Sequence, residues 1–216
     1  MYLKKYKNMG VVTAIQEKKA MTAEEYLRLE RTNLREKGGK YEFFNQKRRL
    51  MAGGTNPHNS ALFNAGFSIA SQLRQAKIKS NVTTSETKVM SFLSYKNYLY
   101  PDVVVVEGKP YYEDDHKDIV MNPKLIIEVL SNSTESFDRG DKFKSYRQIK
   151  SLTEYILIDS RKQSIEQFYK DEVGDWRLGH EITEGSMRLR SFQIDLSVED
   201  VYFDFDVDVE FETDAV

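Results

Sequence analysis

The sequence predicts an α/β fold of the α+β kind, a mixed β-sheet with helices packed on it. Three observations carry this reading. Residues Asn59 to Ala76 place Leu62, Phe63, Gly66, Ile69, Ala70 and Leu73 at helical spacing. Two short apolar runs, the mostly β-branched Tyr98 to Val106 and Lys124 to Leu130, read as buried strands. Glu154 to Asp159 is a further strand, and Ser164 to Lys170, Trp176 to Ile182 and Met187 to Leu189 follow it as an antiparallel series.

The remaining elements fall into place along the chain. Thr22 and Glu25 form a capping box, opening a helix with Ala23, Tyr26, Leu27 and Leu29 on its apolar side that ends before Gly38-Gly39. Tyr41 to Gln46 and Lys47 to Ala52 read as a short hairpin, and the long helix follows Gly53-Gly54 and Pro57. Ile78 to Thr83 and Thr87 to Leu93 are strand candidates. Asp138 to Lys150 is helical, with Phe143, Tyr146, Arg147 and Ile149 at helical intervals. Without repeats or a Pro-rich or Gly/Ser-rich linker, the organisation is one domain over residues 21–202, a basic extension over 1–20 and an acidic tail over 203–216.

Charge is divided unevenly. The 216 residues hold 32 Lys and Arg against 34 Asp and Glu, a net of −2. Nine acids and no base lie from Ser191 onward, so residues 1–190 carry 25 acids against 32 bases. Four of those seven excess positive charges sit in the first twenty residues, where Lys4, Lys5, Lys7, Lys18 and Lys19 face only Glu17. A mildly basic body keeps a polyphosphate partner open. The tail alternates Phe203, Phe205, Val207, Val209 and Phe211 with acids, which reads as an edge strand, a solvated tail, or a phosphate mimic over the basic surface. No apolar run approaches the ~18 residues of a membrane helix, and Met9 to Ile15 is too short and broken for a signal-peptide core. The absence of cysteine excludes disulfides, thiolate nucleophiles and Cys-ligated zinc, and fits a cytoplasmic protein.

The chemistry-bearing residues are isolated charges in apolar runs. Asp102 follows Pro101 inside the expected strand from Tyr98 to Val106, and Glu128 interrupts Leu125, Ile126, Ile127, Val129 and Leu130. Two such carboxylates on adjacent buried strands repel unless a cation lies between them. Mg²⁺, with Mn²⁺ as its substitute, takes this kind of site: one or two carboxylates, a backbone carbonyl and waters. Asp138 is the expected N-cap of the next helix, with Lys142 near its first turn. A lysine there is favoured only beside an anion. Asp, Glu, a metal ion and Lys together are the apparatus of metal-assisted phosphodiester hydrolysis.

The segments Tyr41-Glu42, Tyr100-Pro101-Asp102-Val103-Val104-Val105, Ile127-Glu128-Val129-Leu130-Ser131-Asn132-Ser133-Thr134, Asp138-Arg139-Gly140-Asp141-Lys142-Phe143 and Glu154-Tyr155-Ile156-Leu157-Ile158-Asp159 resemble the motifs of the Uma-two endonucleases, in order and at matching spacing. That family belongs to the restriction-endonuclease-like superfamily with its Pro-Asp and Asp/Glu-x-Lys signature. The resemblance implies a core of helix, three-strand meander, helix and strand, with flanking helices and a C-terminal antiparallel extension. It implies metal ligation by Asp102, Glu128, the backbone of Val129 and Glu42, and catalysis by Asp102, Glu128 and Lys142. Leu130 stands where the superfamily signature has its lysine, and Lys142 on the following helix takes that place.

Each residue has a plainer reading. Asp102 can cap a loop, Glu42 can be an exposed acid of an edge hairpin, and Lys142 can belong to a solvated basic helix face with Arg139, Lys144 and Arg147. His58 is either a phosphate contact at a helix start or a helix-entry side chain facing water. Tyr146 and Tyr155 read as packing residues, and Ser131, Ser133 and Thr134 as a polar turn. Three functions stay open: a Mg²⁺-dependent endonuclease acting on DNA as a homodimer, a nucleic-acid-binding or scaffolding protein that keeps the fold without turnover, or a hydrolase of some other phosphate ester.

Overall fold

A computed structural model of the chain describes residues 20–32, 39–51 and 53–205. Helix α1 (Ala23–Arg31) opens with the expected capping box, both reciprocal bonds between Thr22 and Glu25 being present. Strands β1 (Tyr41–Phe44) and β2 (Lys47–Leu50) form the expected hairpin. Asn45 and Gln46 both adopt positive φ, of 48° and 61°, the twist that a two-residue hairpin turn requires. Helix α2 (Asn56–Gln75) begins three residues before its hydrophobic pattern, because Thr55 caps it and Pro57 suits its first turn.

Next come β3 (Ser80–Thr84), β4 (Lys88–Phe92), β5 (Lys96–Leu99), β6 (Val103–Glu107), β7 (Ile119–Val120) and β8 (Leu125–Leu130). A helical segment, α3, covers residues 135–146 and contains a π-helical stretch, Asp138–Lys142. Strands β9 (Glu154–Asp159), β10 (Ile165–Lys170) and β11 (Trp176–Leu178) precede a hairpin of β12 (Ser186–Leu189) and β13 (Ile194–Ser197), and α4 (Val198–Val201) follows.

The central sheet has six strands in the order β11-β10-β9-β8-β6-β3. Strands β3, β6 and β8 form an antiparallel meander, and β9 joins β8 in parallel after the α3 crossover. Its side chains sort by parity. Val103, Val105, Leu125, Ile127, Val129, Ile156 and Ile158 pack beneath α2 and the β12-β13 hairpin. Val104, Val106, Ile126, Leu130, Tyr155 and Leu157 pack on the opposite face, with Tyr146 of α3 and with β4 and β5. Burial on both faces explains the unbroken apolar runs, each filled position contributing roughly 1.5–3 kcal/mol. Gly66 lets α2 approach closely, since a Cβ there would lie 3.3 Å from Thr84 Cγ2 and 3.8 Å from Val103. The second sheet, β2-β1-β5-β4-β7, carries α1 through stacked Tyr26, Phe43 and Tyr98.

Four local expectations are corrected. The run from Tyr98 to Val106 is not one strand: β5 ends at Leu99, β6 starts at Val103, and the two lie in different sheets. Pro101 has no N–H to donate, and the Tyr100 N–H bonds the Glu42 carboxylate at 3.1 Å instead of a ladder partner. Asp102 therefore stands in the break before β6, not inside a strand. Asp138 does not cap a helix, because the turn through Ser131, Ser133 and Thr134 already starts α3 at Glu135, and this leaves Lys142 about two turns in. Strands β7 and β13 and helix α4, too short to show periodicity, are additions to the expected elements. The acidic alternation from Asp206 onward and the basic start lie outside the described residues. Among the described residues no helix is long and apolar enough to cross a membrane.

Candidate active site

Parity places Glu128 on the α3 face of β8, where every other strand position of that parity is apolar. The register that pairs Val103 with Ile127 carries Asp102 to the level of Glu128 on the neighbouring strand end. From the second sheet, β1 contributes Glu42, and from the π-helical stretch of α3 come Asp138 and Lys142. The Lys142 Nζ stands 2.9 Å from Glu128 Oε1, 3.2 Å from Glu42 Oε1 and 3.4 Å from Asp138 Oδ1. It also donates to the Tyr100 carbonyl at 3.3 Å. Asp102 Oδ2 accepts the Val129 N–H at 2.7 Å and lies 3.4 Å from His58 Nε2.

The cluster is deep on one side and open on the other. Side chains of Glu128, Glu42, Asp138 and Lys142 are 2–6% exposed, whereas those of Asp102 and His58 are 15% and 14% exposed. A ligand therefore approaches past Asp102 and His58. Burial drives the Glu128 carboxyl well above the ordinary range, opposed by Lys142 and reinforced by Asp138 and Asp102. Asp138 is raised for the same first reason, with Lys142 opposing. Burial works against the Lys142 ammonium, but Glu128, Glu42 and Asp138 outweigh it and hold its pKa well above normal, so the lysine stays charged. Burial also opposes the His58 imidazolium, and Asp102 reverses that to give a raised pKa.

Four carboxylates thus face one ammonium and one imidazole, and the buried cluster holds surplus negative charge. Hard oxygen donors with surplus charge suit a divalent cation of the Mg²⁺ type. Among the described residues no three His, Cys, Asp or Glu side chains stand ready to coordinate an ion together. Two carboxylates, Asp102 and Glu128, with the Val129 carbonyl are as many protein ligands as Mg²⁺ commonly takes, the rest being water. The donor set fits.

The sequence model of the Uma2 family, described as "Putative restriction endonuclease", matches residues 23–199. The chain belongs to the Uma2 family. Two proteins of Synechocystis sp. are similar to it along most of their length. The uncharacterized protein sll1609 is 34% identical over 157 residues, covering 73% of this chain and 84% of the relative. The uncharacterized protein slr1290 is 28% identical over 182 residues, covering 84% of this chain and 91% of the relative. A crystal structure of a protein from Anabaena variabilis, described as a "putative nuclease belonging to DUF820", superposes with a TM-score of 0.65 at 16% identity, over 84% of this chain and 97% of the other. That likeness establishes the restriction-endonuclease-like fold.

Within this Uma2 domain, Glu42, Asp102, Glu128 and Lys142 converge as a group. Glu42 is 3% exposed, so it is no surface acid of an edge hairpin; β2 forms the edge and β1 lies inside the sheet. Lys142 is 5% exposed and belongs to no solvated helix face. His58 turns its ring toward Asp102, with 14% of the side chain still exposed. Tyr146 and Tyr155 are buried as expected of packing residues, and the Tyr155 hydroxyl also bonds the Asp138 carbonyl at 2.9 Å, pinning the π-helical stretch. Sequence reasoning missed Asp138 as a member of the cluster, having read it as a cap. The spacing Asp138 to Lys142, one helical turn, was the available signal. Tyr100 was missed as well, because it acts through main-chain atoms that no side-chain pattern reveals.

Proposed function

We propose that this Uma2 protein is a Mg²⁺-dependent endonuclease hydrolysing DNA phosphodiester bonds, with Asp102, Glu128 and the Val129 carbonyl as the metal ligands and Lys142 as the catalytic cation. The observation that carries the reading is the convergence of Glu42, Glu128 and Asp138, from three separate parts of the chain, on one buried lysine, with Asp102 at the open side of the same cluster. When bound, the ion would polarise a phosphate and acidify a water. The chain's own residues supply the rest. Lys142, kept charged by its neighbours, opposes negative charge developing on phosphate. Glu42 and the Tyr100 carbonyl fix where that ammonium points. Glu128, forced toward its protonated form by burial, accepts a cation in place of a proton. The net +7 over residues 1–190 draws a polyanion to the surface, and cutting both strands of a duplex calls for two copies, hence a homodimer.

One observation favours the second reading, a nucleic-acid-binding protein without turnover: Lys142 already neutralises part of the cluster and could do so permanently. Nicking of supercoiled plasmid in Mg²⁺ or Mn²⁺ separates the two. Cleavage that disappears in Asp102→Ala and Glu128→Ala supports the enzyme. DNA binding unaffected by either change, with no cleavage in either ion, overturns it.

A further inference from the structure

His58 sits three residues after the Thr55 cap of α2, and its backbone N–H reaches the Thr55 hydroxyl at 3.5 Å. Helix α2 is anchored along the sheet by Ala61, Ala65, Ile69 and Leu73, all fully buried. The imidazole is therefore carried by a helix whose inner side is packed on the sheet. Its Nε2 lies 3.4 Å from Asp102 Oδ2, the same oxygen that accepts the Val129 N–H at 2.7 Å. Among the described residues the other oxygen, Oδ1, accepts no hydrogen bond. The chain also leaves a berth for the ring. A Cβ at residue 54 would lie 2.8 Å from His58 Nδ1 and 2.5 Å from Asn59 Oδ1, so the glycine is what allows both side chains their places.

We propose that His58 is a positioning residue: with the Val129 amide it clamps Asp102 by Oδ2 and turns Oδ1 toward the space where a divalent cation binds. The clamp spans two elements, α2 and β8, and ties the carboxylate to both, although Asp102 itself belongs to neither and sits in a strand break. A free carboxylate there would sample several rotamers and present either oxygen. The part of this inference that concerns the cation rests on the metal-dependent reading above; the clamp itself does not. Partners of this kind, which hold a metal ligand without touching the metal, typically change metal affinity by about 10–100-fold when removed.

The test reads two quantities in the full chain: the Val129 amide resonance of metal-free protein, and Mn²⁺ affinity. His58→Ala is expected to shift the Val129 resonance and weaken Mn²⁺ binding about 10-fold or more. Gly54→Ala, which keeps the histidine but crowds its ring, is expected to move both in the same direction. His58→Gln, whose amide N–H can still reach Asp102, should recover most of each. Unchanged Val129 resonance and Mn²⁺ affinity in both His58→Ala and Gly54→Ala, with near-UV circular dichroism intact, overturns the proposal. Should the Val129 resonance move while even the unaltered protein binds no Mn²⁺, the clamp stands and the metal-dependent reading fails.

Discussion

Among the described residues two lysines are buried, Lys142 at 5% exposure and Lys88 at 1%, and their surroundings differ in charge balance. Lys88 lies 2.8 Å from Asp118, which also pairs with Arg31 at 2.6 Å, and Arg31 reaches on to Asp114 at 2.7 Å. Two cations meet two carboxylates there, and the charges balance. Burial alone would raise the Asp118 pKa, yet Arg31 and Lys88 bring it down to about 2. Around Lys142, three carboxylates stand within 3.4 Å of a single ammonium, a fourth, Asp102, lies beside one imidazole, and both Glu128 and Asp138 are pushed up rather than down. The balanced cluster holds α1 and β4 to the loop before β7. The unbalanced one is kept at a cost in stability, as sites held for function often are.

Tyr100 joins the two. Its main chain donates to Glu42 and accepts from Lys142, while its hydroxyl donates to Glu30 at 3.1 Å and its ring lies 5.2 Å from Lys88 Nζ. The strand break beside the candidate active site is thus fastened at its far side to the Lys88 cluster.

The contrast is broken most sharply at Glu128. Glu128→Gln keeps the shape but removes a carboxyl whose ionised form burial disfavours, so DNA cleavage should fall by about 10³-fold or more while stability rises by about 1 kcal/mol. In a chain of this size that is a rise of about 2–4 °C in Tm, readable by calorimetry. A fall in Tm would mean that the Lys142 cluster is structural and balanced after all.

Asp118→Ala should do the reverse, leaving cleavage unchanged and destabilising the fold by about 2–3 kcal/mol in urea unfolding. Removing one partner of a fully buried pair costs ~3–5 kcal/mol, and the 28% exposure of the Asp118 side chain lowers that. The pH dependence follows in sign. A carboxyl whose folded pKa is about 2 lies below its unfolded value, so it stabilises the fold above roughly pH 4, and that contribution is lost as pH falls toward 2. The acid limb of the stability curve should flatten in Asp118→Ala. Raised Glu128 and Asp138 act oppositely: the stability they contribute is present below their ordinary range and is lost as pH rises from there through their raised folded values. The smallest effect is expected at Arg188→Ala. Its pair with Asp195 is 3.0 Å long, but both side chains are more than half exposed, so the loss should stay below about 1 kcal/mol in the same urea assay.

Much of the fold was legible because its signals are local. The Thr22 and Glu25 capping box, the hairpin around Asn45-Gln46, the long helix and β8 and β9 each depend on a few neighbouring residues, and each appears where its pattern lies. The boundaries that failed were set by distant partners. The sequence from Tyr98 to Val106 reads as one strand by propensity, and only the Glu42 carboxylate, some sixty residues earlier in the chain, together with Pro101, divides it between two sheets. Asp138 reads as a cap by position, and only the start of α3 at Glu135 turns it into a buried acid facing Lys142.

The sequence by itself determined which residues could do chemistry, since a lone Asp or Glu in an apolar run is costly and demands a partner. It also determined the family, since the motifs recur in order. The charge balance of the site belonged to tertiary structure alone. Whether Glu42 is exposed or buried, whether His58 meets water or Asp102, and how many acids surround Lys142 depend on how two sheets and two helices close on one another. Electrostatic energy follows distance and burial, and neither is written in the order of residues along the chain.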